Sequence, residues 1–276
     1  MPPSWEKTMP HRFWNSLLLA ASLASPANAE MTGNQTHAPR ILQGKPAATG
    51  SYPWVVAIMA DHEGSPYHRC GGTLIAPNKV LTAAHCLKNE GNLLPLESLK
   101  VIAGMTRYTD SDIQRVGLSK VSIHPKYNPN TFYHDVAVIT LANPLPDLES
   151  VSLAEMGDDK KGAAWVAGWG STDYYGGNKS VDLLEGTVEV TGAAQCQREL
   201  RKWARARGEK PSTKLCTYNK PSGICDGDSG GPLFRLLRGK PVQIGITSHY
   251  LAEDCTKAGY TRLIEKSIKA FIRDQL

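Results

Sequence analysis

Long apolar runs are scarce in this chain of 276 residues. Beyond residue 29, no stretch is apolar and long enough to cross a bilayer, which takes about 20 residues in a helix. We therefore expect no membrane partner. Internal repeats and low-complexity segments are also absent, and the length allows one large or two small cores. No Cys/His spacing matches a zinc site, so we expect neither a metal nor another cofactor.

The excess of positive charge is small, with a formal net charge of +5 at pH 7. Part of it is concentrated in one segment, at Arg198, Arg201, Lys202, Arg205, Arg207 and Lys210. Such a cluster fits either a nucleic-acid footprint or a solvated helix face. We favour the solvated face and expect no nucleic-acid partner.

The first 29 residues have the pattern of a secretory leader. Lys7 and Arg12 supply positive charge, Phe13–Ala24 is mostly apolar, and residues 27–29 are the small-x-small triplet Ala-Asn-Ala. The leader ahead of Met9 is unusually long, so Met9 is an alternative start. We expect an exported protein, extracellular or, in a bacterium, periplasmic.

Short runs rich in β-branched residues dominate the remaining chain and are separated by Gly, Pro, Asn and Asp. This spacing is typical of an all-β barrel or sandwich, and composition does not distinguish the two. The predicted strands are Trp54–Met59, Thr73–Ile75, Val80–Thr82, Val101–Ala103, Val116–Ile123, Val136–Leu141, Ala164–Ala167, Leu184–Val190 and Val242–Thr247. Helical spacing predicts one amphipathic helix near the C-terminus, around Leu263, Ile264, Ile268, Phe271 and Ile272.

The most informative segment is Cys-Asp-Gly-Asp-Ser-Gly-Gly-Pro at residues 225–232. A serine hydroxyl becomes an effective nucleophile only with a base to take its proton and donors to hold the oxyanion. The glycines permit a tight turn in which backbone N–H groups converge. Alone, the segment fits either a glycine-rich surface turn or a site with Ser229 as nucleophile.

Two upstream segments supply the missing partners. His85 follows the apolar run Val80–Ala84 and directly precedes Cys86, whereas Asp135 opens the predicted strand Val136–Leu141. Separately, these residues fit a packed histidine and a strand-entry aspartate. Their order, His then Asp then Ser, with all three local contexts intact, is specific to nucleophilic catalysis.

With these motifs the chain resembles the chymotrypsin/trypsin-like serine protease family from Arg40 to the C-terminus, including the Gly-Trp-Gly at residues 168–170. The resemblance implies an all-β fold of two antiparallel six-stranded β-barrels with the active site between them, plus a C-terminal helix. The domains would be a signal peptide at 1–29, an activation propeptide at 30–40 and a protease domain at 41–276. The barrels would span about 41–153 and about 154–276.

The same resemblance assigns roles to the motif residues. Ser229 would attack the scissile carbonyl, His85 would shuttle the proton, and Asp135 would orient the imidazole. The N–H groups of Gly227 and Ser229 would form the oxyanion hole. The partners would be peptide or protein substrates, and we expect a monomer.

Six cysteines in an exported chain suggest three disulfides, although spacing does not choose among the possible pairings. The resemblance implies the pairs Cys70–Cys86, Cys196–Cys216 and Cys225–Cys255.

An activation switch is also implied. In this family, cleavage after a basic residue frees an apolar N-terminus whose amine pairs with the acid preceding the nucleophile. Here cleavage after Arg40 by another protease would free Ile41, whose amine would pair with Asp228. Leu42 and Gln43 depart from the family's usual Ile-Val-Gly-Gly start, and an ordinary linker is the alternative interpretation.

The substrate pocket departs from the trypsin pattern. Trypsin-like members carry an aspartate two residues before the cysteine at 225, whereas this chain has Gly223 and Ile224. The family's Ser-Trp-Gly segment becomes Ser248, His249 and Tyr250 here, with Ala258 and Gly259 expected on the far wall. These residues favour cleavage after small or medium apolar residues.

Alternative interpretations remain at the sequence level. Glu253 and Asp254 would restore a preference for basic residues if they turned toward the pocket. A catalytically inactive homologue would act as a binding protein, although His85, Asp135, Ser229 and Gly227 are all retained. An esterase shares the chemistry, but the Gly-x-Ser-x-Gly elbow and its residue order are missing.

Overall fold

The computed structural model describes residues 41, 44–110, 113–172, 179–207, 213–218, 222–251 and 255–276, with side chains omitted at 203–207. The expected signal peptide at 1–29 and propeptide at 30–40 lie outside the described residues.

Six strands form a closed barrel in the first half of the chain. Each pairs antiparallel with its neighbours, and their apolar side chains fill the interior. The strands are β2 (Val55–His62), β3 (Ser65–Ala76), β4 (Lys79–Thr82), β7 (Leu99–Ala103), β8 (Gln114–Ile123) and β9 (Ala137–Leu141).

A second ring of six antiparallel strands closes through the pairing of β12 with β13. Its strands are β11 (Gly162–Gly168), β12 (Leu184–Val190), β13 (Lys214–Tyr218), β14 (Pro232–Leu237), β15 (Lys240–Tyr250) and β16 (Lys257–Arg262). The prediction of two six-stranded antiparallel barrels is therefore confirmed. Strands β13, β14 and β16 were not among the predicted runs.

The described residues also form four strands of two residues each, and two of these strands link the halves of the chain. β1 (Lys45–Pro46) pairs with β12, and β10 (Ser152–Leu153) runs parallel to β15. Thus the ends of the segment 41–153 add strands to the second barrel. β5 (Lys88–Asn89) and β6 (Asn92–Leu93) pair only with each other.

Contacts across the seam hold the barrels together. The Trp54 and Phe234 rings meet edge to face, with centroids 5.1 Å apart. The buried Thr73 hydroxyl of β3 donates to Gln243 Oε1 of β15 at 2.7 Å. This buried hydrogen bond favours one placement of the first barrel against the second, because any other placement would leave the Thr73 hydroxyl and the Gln243 amide oxygen without a partner.

Among the described residues, two α-helices lie outside the barrels, α1 (Ala193–Arg207) and α2 (Lys266–Arg273). The Glu265 carboxylate caps α2 by accepting from the N–H groups of Ser267 and Ile268. Ile268 and Ile272 then join the core of the first barrel. The predicted C-terminal helix is present, and it docks on the barrel that is distant in sequence.

The three implied disulfides are present. They join Cys70 to Cys86, Cys196 to Cys216 and Cys225 to Cys255. The first links β3 to the turn that contains His85, and the third links the Ser229 loop to the segment before β16.

A stacked pair of histidines lies where α2 meets the first barrel. The His124 and His134 rings are parallel, with centroids 4.3 Å apart, and His134 Nε2 is 2.7 Å from Ser267 Oγ. Burial, the His124 charge and Lys126 lower the pKa of His134 to about 4, and Glu265 opposes them. Burial also lowers the pKa of His124. The folded chain therefore holds this pair in its neutral form.

The histidine pair predicts a loss of stability at mildly acidic pH. Unfolded histidines bind protons below about pH 6.5, whereas folded His134 does so only near pH 4, so protonation favours the unfolded chain between these values. The free energy of unfolding, measured in urea, should fall over this window. In His134→Asn, the free energy of unfolding should decrease over the same pH window by roughly 1–3 kcal/mol less than in the wild type.

The exposed His62 at the end of β2 provides the control. His62→Asn should follow the wild-type pH dependence. Equal slopes in wild type and His134→Asn would contradict the assignment.

Candidate active site

Two neighbouring strands bring His85 and Asp135 together. Thr82 at the end of β4 is the antiparallel partner of Ala137 at the start of β9. The short 3₁₀ helix Ala84–Leu87 therefore lies beside the residues that precede β9. His85 Nδ1 is 2.7 Å from Asp135 Oδ2, and the His85 backbone N–H donates to Asp135 Oδ1 at 3.0 Å.

The second barrel completes the surroundings of Asp135, which is fully buried. The Ser248 hydroxyl donates to Asp135 Oδ2 at 2.7 Å, and the Thr261 hydroxyl donates to the Asp135 carbonyl oxygen at 2.8 Å. Burial alone raises the pKa of Asp135, but the charge and hydrogen bond of His85, the Lys214 charge and the Ser248 hydroxyl outweigh it and set the value at about 2. The carboxylate is ionised at neutral pH.

The loop that carries Ser229 is held from both barrels. The Gly71 N–H of β3 donates to the Ser229 carbonyl oxygen at 2.8 Å, and the Gly230 N–H donates to the Thr247 carbonyl oxygen of β15 at 2.8 Å. Since β3 and β15 belong to different barrels, Ser229 lies at their seam.

Gly230 packs this loop against the strand that leads to His85. Its φ of +79° lies in the left-handed region, and a Cβ there would clash with Thr82 Oγ1 and the Gly71 carbonyl oxygen. These two groups already share a hydrogen bond of 2.8 Å. Only glycine fits both the backbone conformation and the space.

His85 and Ser229 line one cleft, of about 270 Å³. Among the described residues, no hydrogen bond joins their two side chains. Free enzymes often show such loose contacts, which tighten when a substrate binds. The remaining lining residues are Phe132, Ile224, Cys225, Asp226, Thr247, Ser248, His249 and Tyr250.

The two N–H groups predicted to hold an oxyanion belong to Gly227 and Ser229. Gly227 has a φ of +95°, which favours glycine. Within the described part of the chain, neither N–H donates to another backbone group. Their role as an oxyanion hole stays a prediction.

The two described activation residues are buried in the second barrel. Ile41 is fully buried in its core, and Asp228 is 2% exposed. The Asp228 carboxylate accepts from the N–H groups of Gly170 and Cys225, each at 2.9 Å. Burial raises the pKa of Asp228 to about 7, against the lowering by these two N–H groups. Arg40, Leu42 and Gln43 lie outside the described residues.

The residues predicted for the substrate pocket divide into two groups. Ile224, Ser248, His249 and Tyr250 line the cleft, with Tyr250 42% exposed. Gly223, Ala258 and Gly259, although described, are not among the lining residues. A Cβ at Gly259 would lie 2.6 Å from His249 Nε2, so the imidazole packs directly over this glycine. Glu253 and Asp254 lie outside the described residues.

Phe132 and Lys214 were missed at the sequence level. The Phe132 and His85 rings have centroids 5.4 Å apart. The buried Lys214 ammonium donates to Ser248 Oγ at 3.0 Å. The sequence signal for Phe132 was its position three residues before Asp135. No comparable signal marked Lys214.

One cluster has the composition of a metal site but not its chemistry. Cys70, His85 and Cys86 offer ligand atoms within 4.8 Å of one another. The two cysteine sulfurs are bonded to each other, so no thiolate is available to a metal.

Neither α1 nor α2, as far as they are described, is long and apolar enough to cross a membrane.

Two closed barrels with a His–Asp pair and a serine at their seam define a chymotrypsin-like fold. A family model described as Trypsin matches residues 41–271. A trypsin-like protease of Streptomyces glaucescens is 30% identical over 247 residues, covering 88% of this chain and 83% of that protein. Trypsin beta of Drosophila erecta is 30% identical over 197 residues, covering 70% and 73%.

The chain therefore belongs to the trypsin family of serine proteases. A venom serine protease of Bombus ignitus is 31% identical over 236 residues, covering 80% of this chain. This chain spans 63% of that relative and 37% of mannan-binding lectin serine protease 1 of Rattus norvegicus.

The Gly230 packing predicts that an added methyl group disrupts the site. Gly230→Ala should lower the free energy of unfolding by about 3 kcal/mol or prevent folding, because left-handed strain adds to the clash with Thr82 and Gly71. Gly239, in the turn between β14 and β15, is the matched control, with a φ of +77° and open space around its Cβ position.

Gly239→Ala carries the backbone strain alone and should cost about 1 kcal/mol, measured by urea unfolding. If the two variants lose equal stability, the close approach of Gly230 to the His85 strand is not what constrains this loop.

Proposed function

We propose that the chain is a secreted serine endopeptidase, made as a zymogen, in which Ser229, His85 and Asp135 form the catalytic triad. One observation carries the proposal. An ionised, fully buried Asp135 lies 2.7 Å from His85 Nδ1, and His85 lines the same cleft as Ser229.

In the proposed reaction, Ser229 Oγ attacks the scissile carbonyl carbon while its proton moves to His85 Nε2. The C–N bond then breaks, the leaving amine takes that proton, and an ester on Ser229 remains. Water repeats the sequence and releases the acid product. Asp135 stays ionised throughout and stabilises the protonated imidazole. The Gly227 and Ser229 N–H groups hold the negative charge on the tetrahedral intermediate.

Export is supported by the cysteines. All six are paired in disulfides among the described residues. Such bonds persist in oxidising compartments and are rare in the cytosol. The leader-like pattern at residues 1–29 agrees with secretion.

The zymogen proposal is supported by the surroundings of Asp228. A buried carboxylate that lacks a cation is destabilising, and its raised pKa means that this cost grows as the pH rises from about 4 to about 7. No ion pair with Asp228 occurs among the described residues. The free Ile41 amine, produced by another protease cutting after Arg40, would neutralise it and fix the Ser229 loop.

Activation predicts a covalent readout. Before limited trypsin treatment, the precursor should react at least about 100-fold more slowly with a fluorophosphonate than afterwards. Treated protein should have Ile41 as its N-terminus and the adduct on Ser229, as measured by mass spectrometry. Asp228→Asn should be cut normally yet remain slow, because its side chain offers no charge for the amine.

Ser229→Ala is the control for labelling, since it should be cut and remain unlabelled. Rapid labelling of uncut precursor would contradict the zymogen proposal. Cleavage that yields the Ile41 N-terminus without any adduct would favour the alternative of a catalytically inactive binding protein.

We further propose cleavage after small or medium apolar residues. Ile224 brings apolar bulk into the cleft, and Gly223 puts no charge at the position that the family uses to bind Arg or Lys. Tyr250 narrows the mouth of the cleft. An apolar pocket separates side chains that differ by one methylene by only about 1–3 kcal/mol, so the preference should be broad.

A peptide library tests this preference. The activated wild type should cut after residues such as Ala, Val and Leu, with Lys and Arg disfavoured. Gly223→Asp should shift the preference to Lys and Arg by about tenfold or more, because a buried carboxylate is compensated by a cationic side chain. Gly239→Asp, in an exposed turn, should leave the profile unchanged. Strong Lys/Arg preference in the wild type would contradict the apolar pocket.

A further inference from the structure

A buried lysine lies directly behind the proposed triad. Lys214, the first residue of β13, is 5% exposed. Its ammonium donates to the Phe132 carbonyl oxygen at 2.8 Å and to Ser248 Oγ at 3.0 Å. Burying an ammonium is costly unless hydrogen bonds and an opposite charge compensate it. Here the compensation comes from groups that also contact the triad.

The first of these contacts sets the direction of a hydrogen-bond chain. An ammonium can only donate, so Ser248 Oγ must accept from Lys214. The single Ser248 proton is then free to point at Asp135 Oδ2, 2.7 Å away. Without Lys214 the same hydroxyl could turn toward His249 Nδ1, which lies 3.2 Å from Ser248 Oγ. By holding Ser248 Oγ as its acceptor, Lys214 favours the orientation in which the Ser248 proton points at the nearer acceptor, Asp135 Oδ2.

The second contact holds the other side of the cleft. Phe132 has a φ of 53°, an uncommon conformation for a bulky residue that its surroundings must maintain. Its ring lies against the rings of His85 and His249, with centroids 5.4 Å and 5.8 Å apart. By anchoring the Phe132 carbonyl, Lys214 ties the loop before Asp135 to the second barrel.

We propose that Lys214 is a positioning residue for the triad, which orients the Ser248 hydroxyl toward Asp135 and fixes Phe132 against His85. The proposal rests on the function proposed above, because it assumes that Asp135 and His85 act in catalysis.

The positive charge of Lys214 adds an electrostatic effect. Among the described residues, the titratable groups around Lys214 and Asp135 include His85, His249 and the Tyr127 phenol, and the Asp226 carboxylate lines the same cleft as His85. Lys214 offsets part of the Asp135 charge. Removing it makes the field at His85 more negative, which favours the protonated imidazole. The acidic limb of the pH profile of kcat/KM should therefore move to higher pH.

Two variants separate the charge from the hydrogen bonds. Lys214→Met removes both, whereas Lys214→Gln removes the charge and keeps an N–H donor on a side chain that is one bond shorter. In activated protein, Lys214→Met should lower kcat about tenfold with KM nearly unchanged, because the triad is misaligned while the substrate cleft is retained. Lys214→Gln should keep most of kcat at high pH. In both variants the acidic limb should move up by roughly half a pH unit or more.

Lys79→Met is the control. Lys79 is a lysine of strand β4 whose ammonium donates to Thr140 Oγ1 of β9, and neither residue is among those that line the cleft. It should leave kcat and the pH profile unchanged. Thermal unfolding checks that each variant is folded. Lys214→Met should fold, because an apolar side chain of similar size often replaces a buried charge without loss of stability.

The outcomes separate the two proposals. An activated wild type without turnover or labelling would overturn the proposed function. An active wild type with Lys214→Met and Lys214→Gln both unchanged in kcat and in the acidic limb would overturn only the role of Lys214. A loss of kcat in Lys214→Met without any shift of the limb would also overturn the electrostatic part.

Discussion

The fully buried Asp135 carboxylate is the point on which the arrangement of the two barrels depends. A charge removed from water must be compensated, and each of its compensating groups comes from a different part of the chain. His85 approaches from the end of β4 in the first barrel, whereas Ser248 and Thr261 approach from β15 and β16 in the second. Sliding one barrel against the other would break these bonds together. The seam is therefore fixed at the place where the cleft needs to be rigid.

Much of the fold was predictable because most strands carry a local signal. The nine predicted runs all fall on observed strands, since alternating or continuous apolar residues mark faces that a barrel buries. The three missed strands lack this signal. β13 begins with the buried Lys214, β14 begins with a proline, and β16 has small residues where the His249 ring packs over Gly259. These three segments form strands because of contacts with residues distant in sequence, so their local sequence pattern did not predict them.

The candidate site divides in the same way. Ser229, His85 and Asp135 were predictable because the turn, strand-end and strand-start contexts that position them are local in sequence. Lys214 was not, because a lysine in a short run is ordinarily solvated, and its role arises only when β13 passes behind Ser248. The pocket was the least predictable feature, since Gly223, Ala258 and Gly259 are not among the residues that line the cleft and the His249 ring packs over Gly259.

Two buried aspartates show how compensation decides between a permanent and a conditional structure. Burial acts on both in the same direction, toward the protonated form. Asp135 is surrounded by a histidine, a lysine and a hydroxyl, and its pKa is about 2, whereas Asp228 has two backbone N–H donors and a pKa of about 7. The first carboxylate needs nothing further to hold its surroundings in place. Among the described residues Asp228 forms no ion pair, and the Lys179 charge offsets its burial only in part. Under the proposed activation, a newly created amine would therefore have the most to stabilise there, and it would order the loop bearing Ser229.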